Sequence, residues 1–159
     1  MAGNGDERPI RIPTGRATLE GDLNIPEGAR GIVLFAHGSG SSRHSPRNRC
    51  VARLLNQAQL ATLLVDLLTA EEQAIDLRTA QLRFDIGLLA ARLAGVTDWL
   101  VQCPDTQLLR IGYFGASTGA AAALVAAAER SAAIGAVVSR RAGPIWPDST
   151  CRGYERQPC

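Results

Sequence analysis

The chain of 159 residues contains no lysine, and all 17 of its basic residues are arginine. With alanine abundant, this is the codon choice of a GC-rich coding sequence and carries no chemistry by itself. Aromatic residues make up only 4% of the chain and charged residues 20%, against 46% apolar, which fits a soluble globular domain and speaks against disorder and nucleic-acid binding. No stretch reaches the roughly 18 to 20 apolar residues of a membrane span, and the opening MAGNGDERP lacks the apolar core of a signal peptide. A cytoplasmic protein without membrane contact is expected. Cys50, Cys103, Cys151 and Cys159 lie far apart, with no CxxC pair and no histidine nearby, so neither a zinc site nor a disulfide framework is signalled. Free thiols, no metal and no cofactor are expected. The formal net charge of +2 comes from the end of the chain: residues 1–139 hold 13 arginines and 13 acids, residues 140–159 hold 4 and 2.

What is present is an alternation of apolar patterns within a length that suits one domain. Residues 1–9 are polar and expected to be disordered, with order starting near Ile10. ATLEGDLNIP alternates around Leu19, Asp22 and Leu23 and predicts an edge strand or hairpin. GIVLFAHG, with Ile32 to Phe35 continuous, predicts a central strand buried on both faces. Pro46 suits the first turn of a helix carrying Val51, Leu54, Leu55 and Ala58 at helical spacing. LATLLVDLL predicts a second buried strand ending near Asp66, followed by a charged connection through Glu71, Glu72 and Asp76 with a turn or two of helix. A longer helix over about 85–101 presents Ile86, Leu89, Leu93, Val96 and Leu100 on one side; a strand LLRIGYF, a helix over 118–130 and a strand IGAVVS follow. Strands alternating with helices predict an α/β three-layer sandwich around a mostly parallel sheet. In such sheets ligands bind at the carboxyl ends of the strands, where the glycine-rich loops after Phe35 and Phe114 both fall.

Gly115-x-Ser117-x-Gly119, between a buried strand and a helix, is the nucleophile-elbow pattern: a turn so tight that the serine is strained and its hydroxyl stands above the sheet. The following helix offers N–H groups and its positive dipole end to an anionic tetrahedral intermediate, with Thr118 N–H as first oxyanion donor. The loop HGSGSS, with Gly38 at its start, offers a second, Ser39 N–H. A bare GxSxG is common, and the plainer alternative is a small residue chosen for close packing of helix on strand.

Taken together, GIVLFAHGSGSSRHSPRN, ATLLVDLLT and RIGYFGASTGAAAALVAAA resemble the oxyanion-loop strand, the next strand and the elbow of the dienelactone-hydrolase-like branch of the α/β-hydrolase superfamily, over roughly residues 10–139. The resemblance implies an α/β-hydrolase fold and hydrolysis of an ester or related acyl bond in a small-molecule substrate through Ser117. Dienelactone hydrolases proper use a cysteine at the elbow, so a general ester hydrolase is implied over a dedicated dienelactone enzyme. Members of the branch also occur fused or adjacent to phosphoribosyltransferase domains, but nothing here resembles the phosphate loop of those domains. In the superfamily the triad runs nucleophile, acid, histidine, the last two on loops after later strands. Here one strand follows Ser117, and then comes RRAGPIWPDSTCRGYERQPC, without histidine. His37, before Gly38, shapes the oxyanion loop in look-alike enzymes, and His44 lies beside Arg43; either would have to stand in as base. Asp66 reads as a strand-end carboxylate capping a loop. Without a base Ser117 stays a neutral alcohol, and loss of the triad in comparable serine enzymes costs about six orders of magnitude, so little or no turnover is expected.

Residues 140–159 hold three prolines and two of the four cysteines without periodicity, and are expected to be an unstructured tail beyond an incomplete hydrolase domain. Read two bases later in GC-rich codons, RRAGPIWPDS becomes Ala-Gly-Arg-Pro-Asp-Leu-Ala-Gly-Leu, which resembles the family's continuation and points to a shifted reading frame. The non-enzymatic alternative is a binding or self-associating α/β domain that uses an exposed sheet edge.

Overall fold

The structure, a computed structural model, describes residues 6–140. The chain opens with an antiparallel hairpin, β1 (Arg8–Thr14) and β2 (Ala17–Asn24), turned by Gly15 at φ +58°. A two-residue hairpin turn needs a positive φ, which glycine adopts without penalty. The strand expected in ATLEGDLNIP is the second of this hairpin, and β1 starts two residues ahead of the expected boundary. Then follow β3 (Gly31–Ala36), α1 (Pro46–Gln57), β4 (Ala61–Val65), α2 (Ala70–Thr79), a 3-10 turn (Leu82–Phe84), α3 (Ile86–Gln102), β5 (Arg110–Ala116), α4 (Thr118–Glu129) and β6 (Ile134–Arg140). The tail beyond Arg140 lies outside the described residues.

The strands form one mixed sheet in the order β1-β2-β4-β3-β5-β6. β2 pairs antiparallel with β4, and β4, β3, β5 and β6 run parallel. The continuous apolar runs of β3 and β4 are covered on both sides. On one face Leu34 and Leu63 join Leu89, Leu93, Val96 and Leu100 of α3 and Ala122, Ala123 and Ala126 of α4 in the main core. On the other, Phe35 and Leu64 pack with Ala52 of α1, with half-buried Val51 and Leu55 beside them. This is the expected three-layer α/β sandwich. The alanines of α4 let the helix lie close to the sheet, and those three are fully buried.

Two local expectations are corrected. Of the expected stripe Val51 and Leu55 pack inward, but Leu54 is 44% exposed and Ala58 is also exposed, and the buried positions of α1 are Asn48, Cys50, Ala52 and Asn56. Small and amide side chains serve there because Asn56 Nδ2 donates to Leu60 O and to Thr62 Oγ1, tying the helix to the start of β4. The charged connection after Asp66 carries a full ten-residue helix, α2, whose start is fixed by a reciprocal capping box: Thr69 Oγ1 accepts from Glu72 N–H and Glu72 accepts from Thr69 N–H. Cys103 is a free thiol as expected, whereas Cys50 is disulfide-bonded; Cys151 and Cys159 lie outside the described residues.

The order 4-3-5 positions the site. From β3 the chain moves to β4 on one side, then crosses to β5 on the other, so the loops leaving β3 and β5 diverge at their carboxyl ends. A parallel sheet opens its ligand crevice at such a reversal.

Candidate active site

Ser117 stands between β5 and α4 at φ +53° and ψ −122°, a region that non-glycine residues rarely enter. Three close approaches force this turn. A Cβ on Gly119 would lie 2.1 Å from Ala36 O and 2.5 Å from His37 O; one on Gly115 would lie 2.6 Å from Ala120 Cα. A Cβ on Gly38 would lie 3.0 Å from Ala116 O and 3.2 Å from Ser117 Cβ. The glycines let the start of α4 sit against the end of β3, and let the β3–α1 loop rest on the elbow. Ser117 N–H donates to Arg140 O at 3.2 Å, while Ser117 O accepts from Ala120 N–H at 3.0 Å. The hydroxyl is exposed and caps no backbone N–H. The N–H groups of Thr118 and Gly119 open the helix and have no partner within it.

Ser39 N–H, expected as second oxyanion donor, is directed at the elbow but donates to Thr118 Oγ1 at 3.1 Å. This bond joins the two glycine-rich loops, with a hydroxyl between the backbone donor and the open space. Gly38, Ser39 and Thr118 line a cavity of about 240 Å³ whose other walls come from Asp66, Leu68 and Leu89 and from α2 and the 3-10 turn, through Gln73, Asp76, Leu77 and Arg83.

Neither histidine hydrogen-bonds Ser117. Leu67 N–H donates to His37 Nε2 at 3.4 Å, which leaves the ring proton on Nδ1 to be donated to Gly38 O at 3.0 Å. Both ring nitrogens of His37 thus tie the β3 loop to the end of β4. His44 is exposed, with Nδ1 at 3.4 Å from Arg49 Nη2. Asp66 caps the β3–α1 loop: Oδ1 accepts from Arg43 N–H at 2.8 Å and Oδ2 from the Arg43 guanidinium, which also meets Glu20 at 3.0 Å and Asp22 at 3.6 Å. Burial opposes the Arg43 charge, but Asp66, then Asp22 and Glu20, outweigh it and hold the guanidinium more firmly protonated than usual.

Sequence reasoning missed the pair that shapes the outer wall. Asp76 is 4% exposed and takes Arg83 N–H at 3.0 Å and Arg83 Nε at 2.7 Å, while Arg83 Nη2 donates to Asp76 O at 3.0 Å. Burial works against the carboxylate, and the backbone N–H and guanidinium of Arg83 together outweigh it and hold its pKa below the ordinary carboxylate value. The Thr69-x-x-Glu72 pattern was the available signal that this segment is ordered. Among the described residues no cluster of side chains suits a metal ion, and no helix is long and apolar enough to cross a membrane.

No protein-family model matches the chain. Two curated proteins from two strains of Mycobacterium tuberculosis, whose names carry the words phosphoribosyl transferase, are 55% identical over 138 residues; the alignment covers 87% of this chain but only 30% of each of them. Among solved structures, a dienelactone hydrolase from Anabaena variabilis is 66% identical, with a TM-score of 0.85 over 87% of this chain and 64% of that one. A dienelactone hydrolase-like phosphotriesterase from metagenomic libraries, 20% identical with a TM-score of 0.69, and a Pyrococcus furiosus esterase, 23% identical with a TM-score of 0.68, share the fold; this chain spans 59% and 58% of them. The strained serine at the sheet's reversal point, the glycine contacts that hold it and the identity to the Anabaena protein lead to one conclusion: the chain belongs to the dienelactone-hydrolase-like branch of the α/β-hydrolase superfamily.

Proposed function

We propose that this chain carries the nucleophile and oxyanion side of a serine hydrolase site for esters or related acyl bonds. The observation that carries the reading is the conformation of Ser117: a serine held at φ +53° by three glycine contacts, with its hydroxyl free and the first N–H groups of α4 beside it. Strain of this kind persists only where the surroundings impose it, and it serves to expose the attacking oxygen. The adjoining cavity of about 240 Å³, below the usual 300 to 1,000 Å³ of small-molecule sites, suits a short acyl or alcohol group. Among the described residues no base hydrogen-bonds Ser117, so unaided turnover is low. The transferase name of the mycobacterial relatives is assigned here to the 70% of their length that this chain does not span, which makes this chain the counterpart of a hydrolase module beside it. In imidazole buffer, which supplies the missing base, an alkyl fluorophosphonate should label the wild-type chain and not Ser117→Ala; equal labelling of the two refutes the reading.

A second reading, self-association of two copies, is favoured by β6, an edge strand among the described residues, with Val138 53% exposed and Leu124 and Val125 of α4 56% and 41% exposed. Sedimentation of wild type against Val138→Arg tests it: a dimer lost in the variant supports it, a monomer in both removes it.

A further inference from the structure

We infer that the side-chain hydroxyl of Thr118 is the second oxyanion donor, with Ser39 N–H behind it as its polarising partner. The inference rests on the reading of Ser117 as an acyl-accepting nucleophile. A superfamily site pairs the N–H of the residue after the nucleophile with an N–H from the β3 loop. In this chain the loop N–H is already spent, because Ser39 N–H donates to Thr118 Oγ1 at 3.1 Å. A threonine hydroxyl can accept that bond and still donate its own proton. Nothing among the described residues takes that proton. Gly38 lets the loop lie this close to the elbow, since a Cβ on it would be 3.0 Å from Ala116 O and 3.2 Å from Ser117 Cβ.

A substrate carbonyl that approaches Ser117 from the cavity enters the space lined by Gly38, Ser39 and Thr118. There its oxygen meets Thr118 N–H on one side and the Thr118 hydroxyl on the other. As the bond from Ser117 Oγ to the carbonyl carbon forms, the π pair moves onto that oxygen and the seryl proton passes to a base. In the assay below an imidazole buffer supplies this base. Collapse of the intermediate breaks the bond to the leaving group, which departs as the alkoxide or phenolate and leaves the acyl group on Ser117 Oγ. Water, deprotonated by the same base, then attacks that ester and releases the carboxylic acid and the serine hydroxyl. The N–H to O–H chain is set before the charge appears, and a hydroxyl that accepts one hydrogen bond donates a stronger one. The residue thereby supplies two donors from one position, which explains a β-branched hydroxyl residue at the first turn of an otherwise alanine-rich helix.

The test is hydrolysis of p-nitrophenyl acetate in imidazole buffer by the full chain, with Ser117→Ala as the background. Thr118→Val keeps the shape and removes the proton. It should lower kcat about 10²-fold with KM little changed, the scale of losing one oxyanion donor, and Thr118→Ser should recover most of the rate. Should Thr118→Val unfold at a lower temperature than wild type, Thr118→Ala takes its place. A wild-type rate equal to that of the valine variant makes the hydroxyl structural, and a faster variant makes it a plug that withholds Ser39 N–H; either overturns the inference while leaving Ser117 as the nucleophile. A wild type no faster than Ser117→Ala overturns the serine reading and this inference with it.

Discussion

The strain at Ser117 can be measured without any catalysis. Replacing the serine by alanine removes the hydroxyl and keeps a Cβ at φ +53° and ψ −122°. Replacing it by glycine removes the Cβ that makes this conformation costly. A non-glycine residue in such a region costs about 1 to 3 kcal/mol. Glycine gives back about 0.4 to 1 kcal/mol through the freedom it adds to the unfolded chain. Ser117→Gly is therefore expected to be more stable than Ser117→Ala by about 0.5 to 2 kcal/mol, or roughly 1 to 8 °C in Tm at about 2 to 4 °C per kcal/mol for a chain of this size. Thermal unfolding followed by circular dichroism, with both variants under one buffer, gives the comparison. A glycine variant equal to or less stable than the alanine variant would falsify the claim that the turn is strained in solution. It would also remove the main support for reading Ser117 as an elbow nucleophile.

Three further outcomes follow from the same geometry. Gly119→Ala places a methyl 2.1 Å from Ala36 O, so a loss of about 1 to 3 kcal/mol or more is expected in urea unfolding, and an unchanged midpoint would mean that α4 does not rest on β3. The buried Thr97 Oγ1 to Tyr113 OH contact of 2.5 Å predicts a cost of about 1 kcal/mol for Tyr113→Phe, since Thr97 keeps its bond to Leu93 O; a neutral variant refutes it. The depressed pKa of Asp76 gives a pH signature. Its stabilisation is complete above the ordinary carboxylate value and is lost as pH falls through the lower folded value. The stability gap between wild type and Asp76→Asn should thus be present at neutral pH and close in acid, and a gap that widens in acid has the wrong sign.

Much of the architecture was legible because burial on both faces leaves an unmistakable trace: GIVLFA reads as a central strand and ATLLV as a second buried one, and so they are. The elbow was legible because its glycines are demanded by backbone atoms of other elements, Ala36 O and Ala120 Cα, so no other residue fits. What escaped is held by polar bonds instead of apolar periodicity. α2 has its start fixed by Thr69 and Glu72 and its end by Asp76 with Arg83, and only the first of these leaves a short-range motif. Leu54 fits the helical spacing of α1 yet faces water, because Asn56 and Cys50 take the inner side of that helix. The Thr118 hydroxyl beneath Ser39 N–H was beyond sequence, since it depends on how two loops 79 residues apart meet.

The Ser117 N–H to Arg140 O bond has a kinetic consequence. The elbow is closed from three directions: by Ala36 at the end of β3, by Ala120 in its own helix, and by Arg140 at the end of β6. Two of these partners are distant in sequence, so the turn cannot form by local preference and must await assembly of β3, β5 and β6 in register. Contacts of high sequence separation form late, after loop closure has been overcome. A serine-directed reagent added during refolding would then report the last part of the sheet to assemble, and Ser117 would become reactive only after helix signal had largely returned.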